Sequence, residues 1–221
     1  MTKKFWFIRH GESVSNAGLK TEHPKTVALT QNGEAQAQSK AAGFQHRPDL
    51  IVTSPYLRTK QTAAPFFEKF GDVPQEEWNI HEYTYLPHAL YNGTTNDDRR
   101  PAMREYWDLA DPFHRTSPEA ESFADFAARC QHTLERMKKC QEGLTVAFSH
   151  GYFINGLLLC LQGGFENMGP EAMAGFLQHH RSNRIENCAL FEFTVTNDTG
   201  IVFDKHDMEV KETVSDGLAN D

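Results

Sequence analysis

The sequence lacks the features that mark membrane-bound and exported proteins. No apolar run approaches the roughly 20 residues needed to span a bilayer. Only the four apolar residues at 5–8 lie between the basic N-terminus and Arg9, and a signal peptide needs a longer apolar stretch. These absences predict a cytoplasmic protein without a membrane partner.

Basic residues are also scarce. The chain has 22 Lys and Arg residues against 30 Asp and Glu residues, which gives a formal net charge of -8. A nucleic-acid-binding protein would show a basic face or stripe, so this balance predicts no nucleic-acid partner. An anionic substrate must be captured by local positive charge, against the field of the whole molecule.

Cysteine pairs with metal-binding or redox spacing are missing as well. The four cysteines lie far apart, and none forms a CxxC pair. We expect reduced, mostly buried thiols rather than a disulfide or zinc framework.

What the sequence does contain is an alternation of short apolar runs and amphipathic helices. Helical spacing at 63–70 and 123–137 predicts two helices, of which Ser122 and Asp125 could cap the second and Gly143 could end it. The alternation predicts a single α/β domain over residues 1–221, a three-layer α/β/α sandwich around a mostly parallel central sheet. The apolar runs that predict strands lie at 5–8, 50–52, 78–80, 144–148, 189–195 and 201–203.

A polar, proline-containing segment at about 82–118 interrupts this alternation. Its composition predicts an insertion that lies over the sheet and contains one helix near 103–110. The chain after about residue 209 is acidic and polar, and we expect it to be disordered.

Two histidines, each followed by glycine, come directly after apolar runs. His10 follows the first run and His150 the fourth, while Arg9 precedes His10 and Arg58 follows the second run at the start of a helix. Ligands bind beyond the carboxyl ends of the strands in an open α/β sheet, so we expect these four side chains to meet at one edge. Two guanidinium forks and two imidazoles predict a site for a tetrahedral anion.

The same residues predict phosphoryl chemistry. A neutral imidazole has one nitrogen free to attack phosphorus when the other is held as a donor, and Gly11 would help to fix that tautomer of His10. Attack on a phosphate ester gives a phosphohistidine and divides hydrolysis into two steps. The leaving oxygen needs a proton, for which Glu82 is the best-placed carboxyl group, with Glu76 and Glu77 as rivals.

Four runs carry a resemblance that covers residues 5 to about 195. The run RHGES at 9–13, followed by Asn16, looks like a nucleophile motif, and SHG at 149–151 looks like a second-histidine motif. Residues 29–37 are similar to an LTxxGxxQA stretch, and residues 54–63 to an SPLxRAxQTA stretch. In this order the four runs resemble the histidine phosphatase superfamily, in the branch (branch 1) that also contains cofactor-dependent phosphoglycerate mutase.

The resemblance implies a fold, an activity and a set of roles. It implies a phosphoglycerate mutase-like fold and a phosphomonoesterase of the histidine acid phosphatase type, with a small phosphorylated substrate and no metal or organic cofactor. It implies that His10 is the phosphorylated nucleophile and that Glu82 acts first as acid and then as base, with His150 also in the catalytic set. The implied phosphate ligands are Arg9, Arg58, His150 and Asn16.

Two departures from the family pattern leave alternatives open. The family often has Gly-Glu-Ser before its long helix, where this chain has Ala120-Glu121-Ser122. The mutases carry an ERHYGxLQG signature, where this chain has EYTYLP at 82–87. One alternative function is a phosphoglycerate-type mutase, and the other is a catalytically weak module that binds phospho-ligands or proteins. The identity of the substrate and the oligomeric state stay open.

Several residues also admit a purely structural interpretation. Asn16 could cap a turn, and we expect the pair His179-His180 in a solvated loop rather than in a metal site. Three arginines of the insertion could reach a second anionic group or form a solvated charge cluster: Arg99, Arg100 and Arg115.

Overall fold

A six-stranded sheet runs through the centre of the computed structural model, which describes residues 2–196 and 200–206. The strands, β1 to β6 in chain order, are Lys3–Arg9, Leu50–Thr53, Gln75–Glu77, Gly143–Ser149, Leu190–Thr196 and Gly200–His206. Their order across the sheet is β3-β2-β4-β1-β5-β6. The first three neighbouring pairs are parallel, whereas β5 runs antiparallel to β1 and β6. The prediction of a mostly parallel central sheet is confirmed.

Helices cover both faces of this sheet. Alternate residues of β1 explain why, since Phe5 and Phe7 belong to one hydrophobic core and Trp6 and Ile8 to another. The helices, α1 to α6 in chain order, are Gln31–Gly43, Leu57–Phe70, Asn96–Leu109, Phe123–Lys139, Gly151–Leu161 and Pro170–Ser182. Side chains of α1 and α2 fill the second core, and side chains of α4, α5 and α6 fill the first. This is the predicted three-layer sandwich.

Two boundaries predicted from the sequence are wrong. Residues 78–80 do not form a strand, and β3 ends just before them. Their apolar pattern reflects burial instead, since the side chains of Trp78 and Ile80 lie in the core. Gly143 does not end α4, which stops before it, but opens β4 with a φ of 122°. This positive φ favours glycine, and a Cβ here would also lie 2.5 Å from Asp49 Oδ2.

Residues 82–118, which we call the polar segment, lie between β3 and α4. They contain a 3₁₀ helix, His88–Tyr91, and α3. The latter begins at residue 96, seven residues before the predicted helix, because Thr95 and Asp98 form a capping box within the polar sequence. Thr21 bridges to two residues of the segment, which joins it to the loop that follows β1.

Other expectations have different outcomes. The capping box of Ser122 and Asp125 at the start of α4 is confirmed. Among the described residues, no helix is long and apolar enough to cross a bilayer. The tail after about residue 209 lies outside the residues that the structure describes.

Candidate active site

A cavity of about 490 Å³ opens where β1 and β4 end. We call four of its side chains the cavity floor: Arg9, His10, Arg58 and Glu82. They come from the end of β1, the first turn of α2 and the start of the polar segment. Segments that are distant in the sequence therefore converge at the carboxyl edge of the sheet.

His10 has one ring nitrogen fixed as a donor and the other left with its lone pair. The residue is 3% exposed, and Nδ1 lies 2.7 Å from the carbonyl oxygen of Gly11, which can only accept, so Nδ1 carries the proton. Arg58 Nε donates to Nε2 at 3.1 Å. Burial, together with the charges of Arg58 and Arg9, holds the pKa of His10 well below its usual range, so the imidazole is neutral.

The backbone after β1 is packed tightly against the start of α1. A Cβ on Gly11 would lie 2.4 Å from the carbonyl oxygen of Gly33, and a Cβ on Gly33 would lie 2.0 Å from that of Glu12. The Glu12 N–H also donates to Gln36 Oε1 at 2.8 Å. The LTxxGxxQA-like stretch therefore holds the backbone that follows His10.

Two arginines contribute donors to the cavity floor. Arg58 is 7% exposed and donates from Nη1 to the carbonyl oxygen of Pro24 at 2.8 Å. Arg9 donates from Nη1 to the carbonyl oxygen of Ile185, while its buried Nε has no hydrogen-bond partner among the described residues. Burial lowers the pKa of both arginines, and the Glu82 carboxylate opposes this shift. An unpaired buried N–H on the floor is a donor available to a ligand oxygen.

His150 contacts His10 but does not line the cavity. It is fully buried, its ring centroid lies 5.1 Å from that of His10, and Nε2 is 2.8 Å from Ser54 Oγ. Burial and the Arg58 charge hold its pKa well below the usual range. Its Nδ1 has no hydrogen-bond partner within the described part of the chain, which is a further buried polar atom without a partner beside the floor.

Glu82 combines a place on the cavity floor with a raised pKa. Its Oε1 accepts from the backbone N–H groups of Tyr83 at 3.2 Å and of Tyr152 at 3.0 Å. Burial raises the pKa, while the charges of Arg58 and Arg9 work in the opposite direction. A carboxyl group that keeps its proton to a higher pH than usual is suited to donate it near neutral pH.

A salt bridge supports the backbone just before Glu82. Arg129 and Glu121 make two contacts of 2.8 Å, with side chains that are 11% and 17% exposed. Arg129 Nη1 also donates to the carbonyl oxygens of Asn79 and His81, at 3.0 Å and 2.9 Å. The glutamate of the Ala-Glu-Ser run thus helps to position Glu82, although alanine replaces the family's usual glycine.

Asn16 both caps a turn and lines the cavity. Its Oδ1 accepts from the backbone N–H and the hydroxyl of Ser13, at 3.2 Å and 3.0 Å. Asn187 Nδ2 reaches the same oxygen at 3.3 Å and donates to the carbonyl oxygen of His10 at 2.9 Å. With Oδ1 occupied, the amide nitrogen of Asn16 is the group that a ligand could accept from.

The rival carboxylates lie away from the cavity. Glu76 and Glu77 are exposed residues of β3, where they pair with Arg136 at 2.8 Å and with Lys60 at 2.7 Å. Neither lines the cavity, so Glu82 is the carboxyl group that the fold brings beside His10.

The three arginines of the polar segment have different surroundings. Arg99 is fully buried and donates to other residues of the segment, so it holds the segment together. Arg115 pairs with Asp125 at 2.7 Å and does not line the cavity. Arg100 does line the cavity, and it pairs with Asp97 at 2.9 Å.

Three of the cavity residues that sequence reasoning missed carry a ring or a charge beside the floor: Tyr152, His180 and Arg184. The ring of Tyr152 stacks on that of His180, with centroids 4.0 Å apart. The prediction that His180 lies in a loop is wrong, because it lies in α6. Burial lowers its pKa to about 4. Arg184 is exposed where it lines the cavity. Tyr152 follows the SHG motif and could have been inferred, whereas the other two reach the site only because α6 packs against α5.

The histidine pair does not form part of a metal-binding cluster. Asn155 Nδ2 donates to Nδ1 of His180 at 2.9 Å, so that nitrogen is occupied by an amide. Within residues 2–196 and 200–206, no three His, Cys, Asp or Glu side chains come together as a group that could hold a metal ion.

Known proteins resemble this chain in sequence and in fold. The model of the histidine phosphatase superfamily (branch 1) matches residues 5–202. The adenosylcobalamin/alpha-ribazole phosphatase of Salmonella typhimurium is 28% identical over 160 residues, which are 65% of this chain and 73% of that protein. A protein of Serratia proteamaculans named "Probable phosphoglycerate mutase GpmB" is 26% identical over 193 residues, 84% of this chain and 81% of its own length.

A solved structure gives the same picture of the fold. The phosphoserine phosphatase of Entamoeba histolytica, in complex with 3-phosphoglyceric acid, has a TM-score of 0.67 and 21% identity. The match covers 94% of this chain and 98% of that one. The predicted α/β fold of the phosphoglycerate mutase type is confirmed.

Proposed function

This chain belongs to the histidine phosphatase superfamily (branch 1), and from that premise we propose that it hydrolyses phosphomonoesters through a phosphohistidine on His10. The state of His10 carries the proposal. It is a neutral, buried imidazole whose Nδ1 is held by the Gly11 carbonyl and whose Nε2 keeps a lone pair beside Arg58. These are the requirements of a nitrogen nucleophile at phosphorus.

The first step transfers the phosphoryl group to the enzyme. Binding of the phosphate replaces the hydrogen bond between Arg58 and His10 by one from Arg58 to a phosphate oxygen. The Nε2 lone pair attacks phosphorus, a P–N bond forms, and the P–O bond to the leaving group breaks. Glu82 gives its proton to the leaving oxygen, so that the alcohol departs neutral. Arg9, with its unpaired Nε, and Arg58 stabilise the charge on the transferring group.

The second step releases phosphate. Glu82, now ionised, takes a proton from a water molecule whose oxygen attacks the phosphorus of the phosphohistidine. The P–N bond breaks, inorganic phosphate leaves, and both Glu82 and His10 return to their starting states. In this mechanism His150, through its unpaired Nδ1, and Asn16, through its amide nitrogen, complete the phosphate ligands. The residues of this mechanism and one water molecule supply every proton and electron pair, so the proposed mechanism uses no metal or cofactor.

A mutase is the second candidate function. The similarity to the Serratia protein over most of both chains favours it, whereas EYTYLP at 82–87 in place of ERHYGxLQG does not. The two functions differ in the fate of the phosphoryl group, which a mutase returns to an organic acceptor. Phosphorus NMR of the products distinguishes inorganic phosphate from an isomeric ester.

The decisive experiment follows phosphate release and the covalent intermediate together. The full chain is incubated with a panel of phosphorylated metabolites and phosphopeptides in the presence of a chelator, and inorganic phosphate is measured. We expect turnover of at least one substrate and, after a rapid alkaline quench, an acid-labile and base-stable phosphoenzyme. His10→Ala should lose at least about 10³-fold in rate.

The control is His132→Ala, which makes the same change at an exposed position of α4. Circular dichroism of both variants reports whether they are folded. A folded His10→Ala protein with unchanged turnover would contradict the mechanism. The absence of both phosphate release and phosphoenzyme across the panel would instead favour the catalytically weak binding module.

A further inference from the structure

The cavity holds more positive charge than a phosphate group requires. Among the residues that the structure describes, its lining includes the guanidinium groups of Arg9, Arg58, Arg100 and Arg184 but only two carboxyl groups, those of Glu82 and Asp97. Glu82 must be protonated to act as an acid, so it adds no negative charge at the start of the proposed reaction. The surplus is notable in a chain whose formal net charge is -8.

A charge balance shows which arginine is left over. The phosphate dianion is matched by Arg9 and Arg58 on the cavity floor. Arg100 is matched by Asp97, 2.9 Å away. Arg184 remains among the arginines of the lining, and its side chain forms no ion pair within the described part of the chain. The carboxylate of Glu186, whose charge raises the pKa of Arg9, does not line the cavity.

Arg184 lines the same cavity as Arg9 and His180. Its positive charge also lowers the pKa of both residues. Arg184 is exposed, as a group that meets the outer part of a substrate must be. A cation in this position faces the part of the substrate that projects away from the phosphate.

We propose that Arg184 binds a second anionic group on the substrate, so that the preferred substrates are phosphomonoesters whose leaving group carries a carboxylate or a further phosphoryl group. This inference rests on the proposed function. A guanidinium fork matches either anion with two parallel hydrogen bonds, so the shared chemistry is that of a planar or tetrahedral oxyanion. The cavity volume of about 490 Å³ leaves room for such a leaving group beside the phosphate.

The expected kinetic signature follows from where Arg184 acts. The second anionic group does not react, so Arg184 holds it equally in the ground state and in the transition state. Its removal should therefore raise KM for anionic substrates more than it lowers kcat.

The test compares substrates that differ in the second anion. One pair is 3-phosphoglycerate and glycerol 3-phosphate, which exchange a carboxylate for a hydroxymethyl group. The other is fructose 1,6-bisphosphate and fructose 6-phosphate, which differ by a phosphoryl group. In at least one pair the wild-type chain should prefer the anionic member in kcat/KM, and Arg184→Gln should reduce that preference by about 10-fold.

The matched control is Arg181→Gln, which removes the same charge from an exposed position of the last turn of α6 that does not line the cavity. It should leave the substrate preference unchanged. A wild-type chain that prefers neither anionic member, or equal effects of the two variants, would overturn the inference. Such results would leave the proposed function intact as long as phosphate release still depends on His10.

Discussion

At the scale of single residues, burial shifts the pKa values of two groups of the cavity floor, His10 and Glu82, in opposite directions. Burial disfavours a charge, so it lowers the pKa of His10 and raises that of Glu82. Both shifts favour the uncharged form, which is the unprotonated imidazole for His10 and the protonated carboxyl group for Glu82. These are the protonation states that attack and leaving-group protonation require.

The proton on Glu82 leads to a prediction about leaving groups. Glu82→Gln should slow the hydrolysis of alkyl phosphates by roughly 10²-fold or more and that of p-nitrophenyl phosphate far less, because a nitrophenolate leaves without a proton. In the wild-type chain, the kcat for alkyl phosphates should fall as pH rises through the raised pKa of Glu82, since the acid is then lost. The measurement is kcat against pH for both substrate types.

Glu76→Gln is the control for Glu82→Gln, because it makes the same change on β3 away from the cavity. It should leave both substrates and the pH profile as in the wild-type chain. If Glu82→Gln slowed both substrate types equally, Glu82 would have a structural or positioning role instead of the acid role.

At the scale of elements, the position of the backbone that follows His10 depends on how closely α1 approaches the loop after β1. A Cβ on Gly33 would lie 2.0 Å from the carbonyl oxygen of Glu12. A Cβ on Gly11 would lie 2.4 Å from the carbonyl oxygen of Gly33. Thr30 caps α1 and also donates to the Glu12 carboxylate at 2.6 Å. The start of this helix and the residues that follow His10 form one packed unit.

Two glycines of α1 give a matched test of this packing. Gly33→Ala should lower the free energy of unfolding by about 1–3 kcal/mol, because backbone must move to admit the methyl group. It should also lower turnover, since the displaced backbone follows His10. The measurements are urea denaturation and the rate of phosphate release.

Gly43→Ala is the comparison, because a Cβ there would have no neighbour within 4 Å. It should be neutral or raise the free energy of unfolding by up to about 1 kcal/mol, as alanine favours helix over glycine. Equal effects of the two substitutions would show that helix propensity, and not the contact with Glu12, determines the outcome.

At the scale of the whole molecule, buried neutral histidines link stability to pH. Burial lowers the pKa of His81 and of His180 to about 4, and it holds those of His10 and His150 well below 6.5. Below pH 6.5 the unfolded chain binds more protons at these positions than the folded chain does. The free energy of unfolding should therefore fall as the solution is acidified from pH 6.5 toward 4.

His180 provides a direct test of this linkage. His180→Gln keeps a hydrogen-bonding group beside Asn155 but removes the titration, so the free energy of unfolding should depend less steeply on pH between 6.5 and 4. The slope should decrease by no more than about 1.4 kcal/mol per pH unit, the value for one proton. His132→Gln, at an exposed position of α4, is the control. Parallel stability curves for His180→Gln and the wild-type chain would contradict the prediction.

By itself, the sequence determined the fold class, the edge of the sheet at which the cavity opens and five residues that line it: Arg9, His10, Asn16, Arg58 and Glu82. The reason is local. A residue that directly follows a buried strand must lie at the carboxyl end of that strand, and Arg9 and His10 could therefore be placed without knowing the packing. Arg58 was placed in the same way, after the second strand. Glu82 was placed at the start of the polar segment, after an expected strand at 78–80 that does not form. Motif order then pointed to a family that the family model confirmed.

Only the tertiary structure decided what surrounds those residues. Three predictions were wrong for this reason. The apolar pattern at 78–80 reflects burial in the core and not a strand. His179 and His180 lie in a helix that packs on the fold, and α3 starts earlier than predicted because a polar capping box begins it. Likewise, Arg99 is a buried structural residue and Arg184 lines the cavity, although both are arginines in polar sequence. Burial and the approach of distant charges depend on contacts between segments, and these contacts do not exist in the local pattern of any one segment.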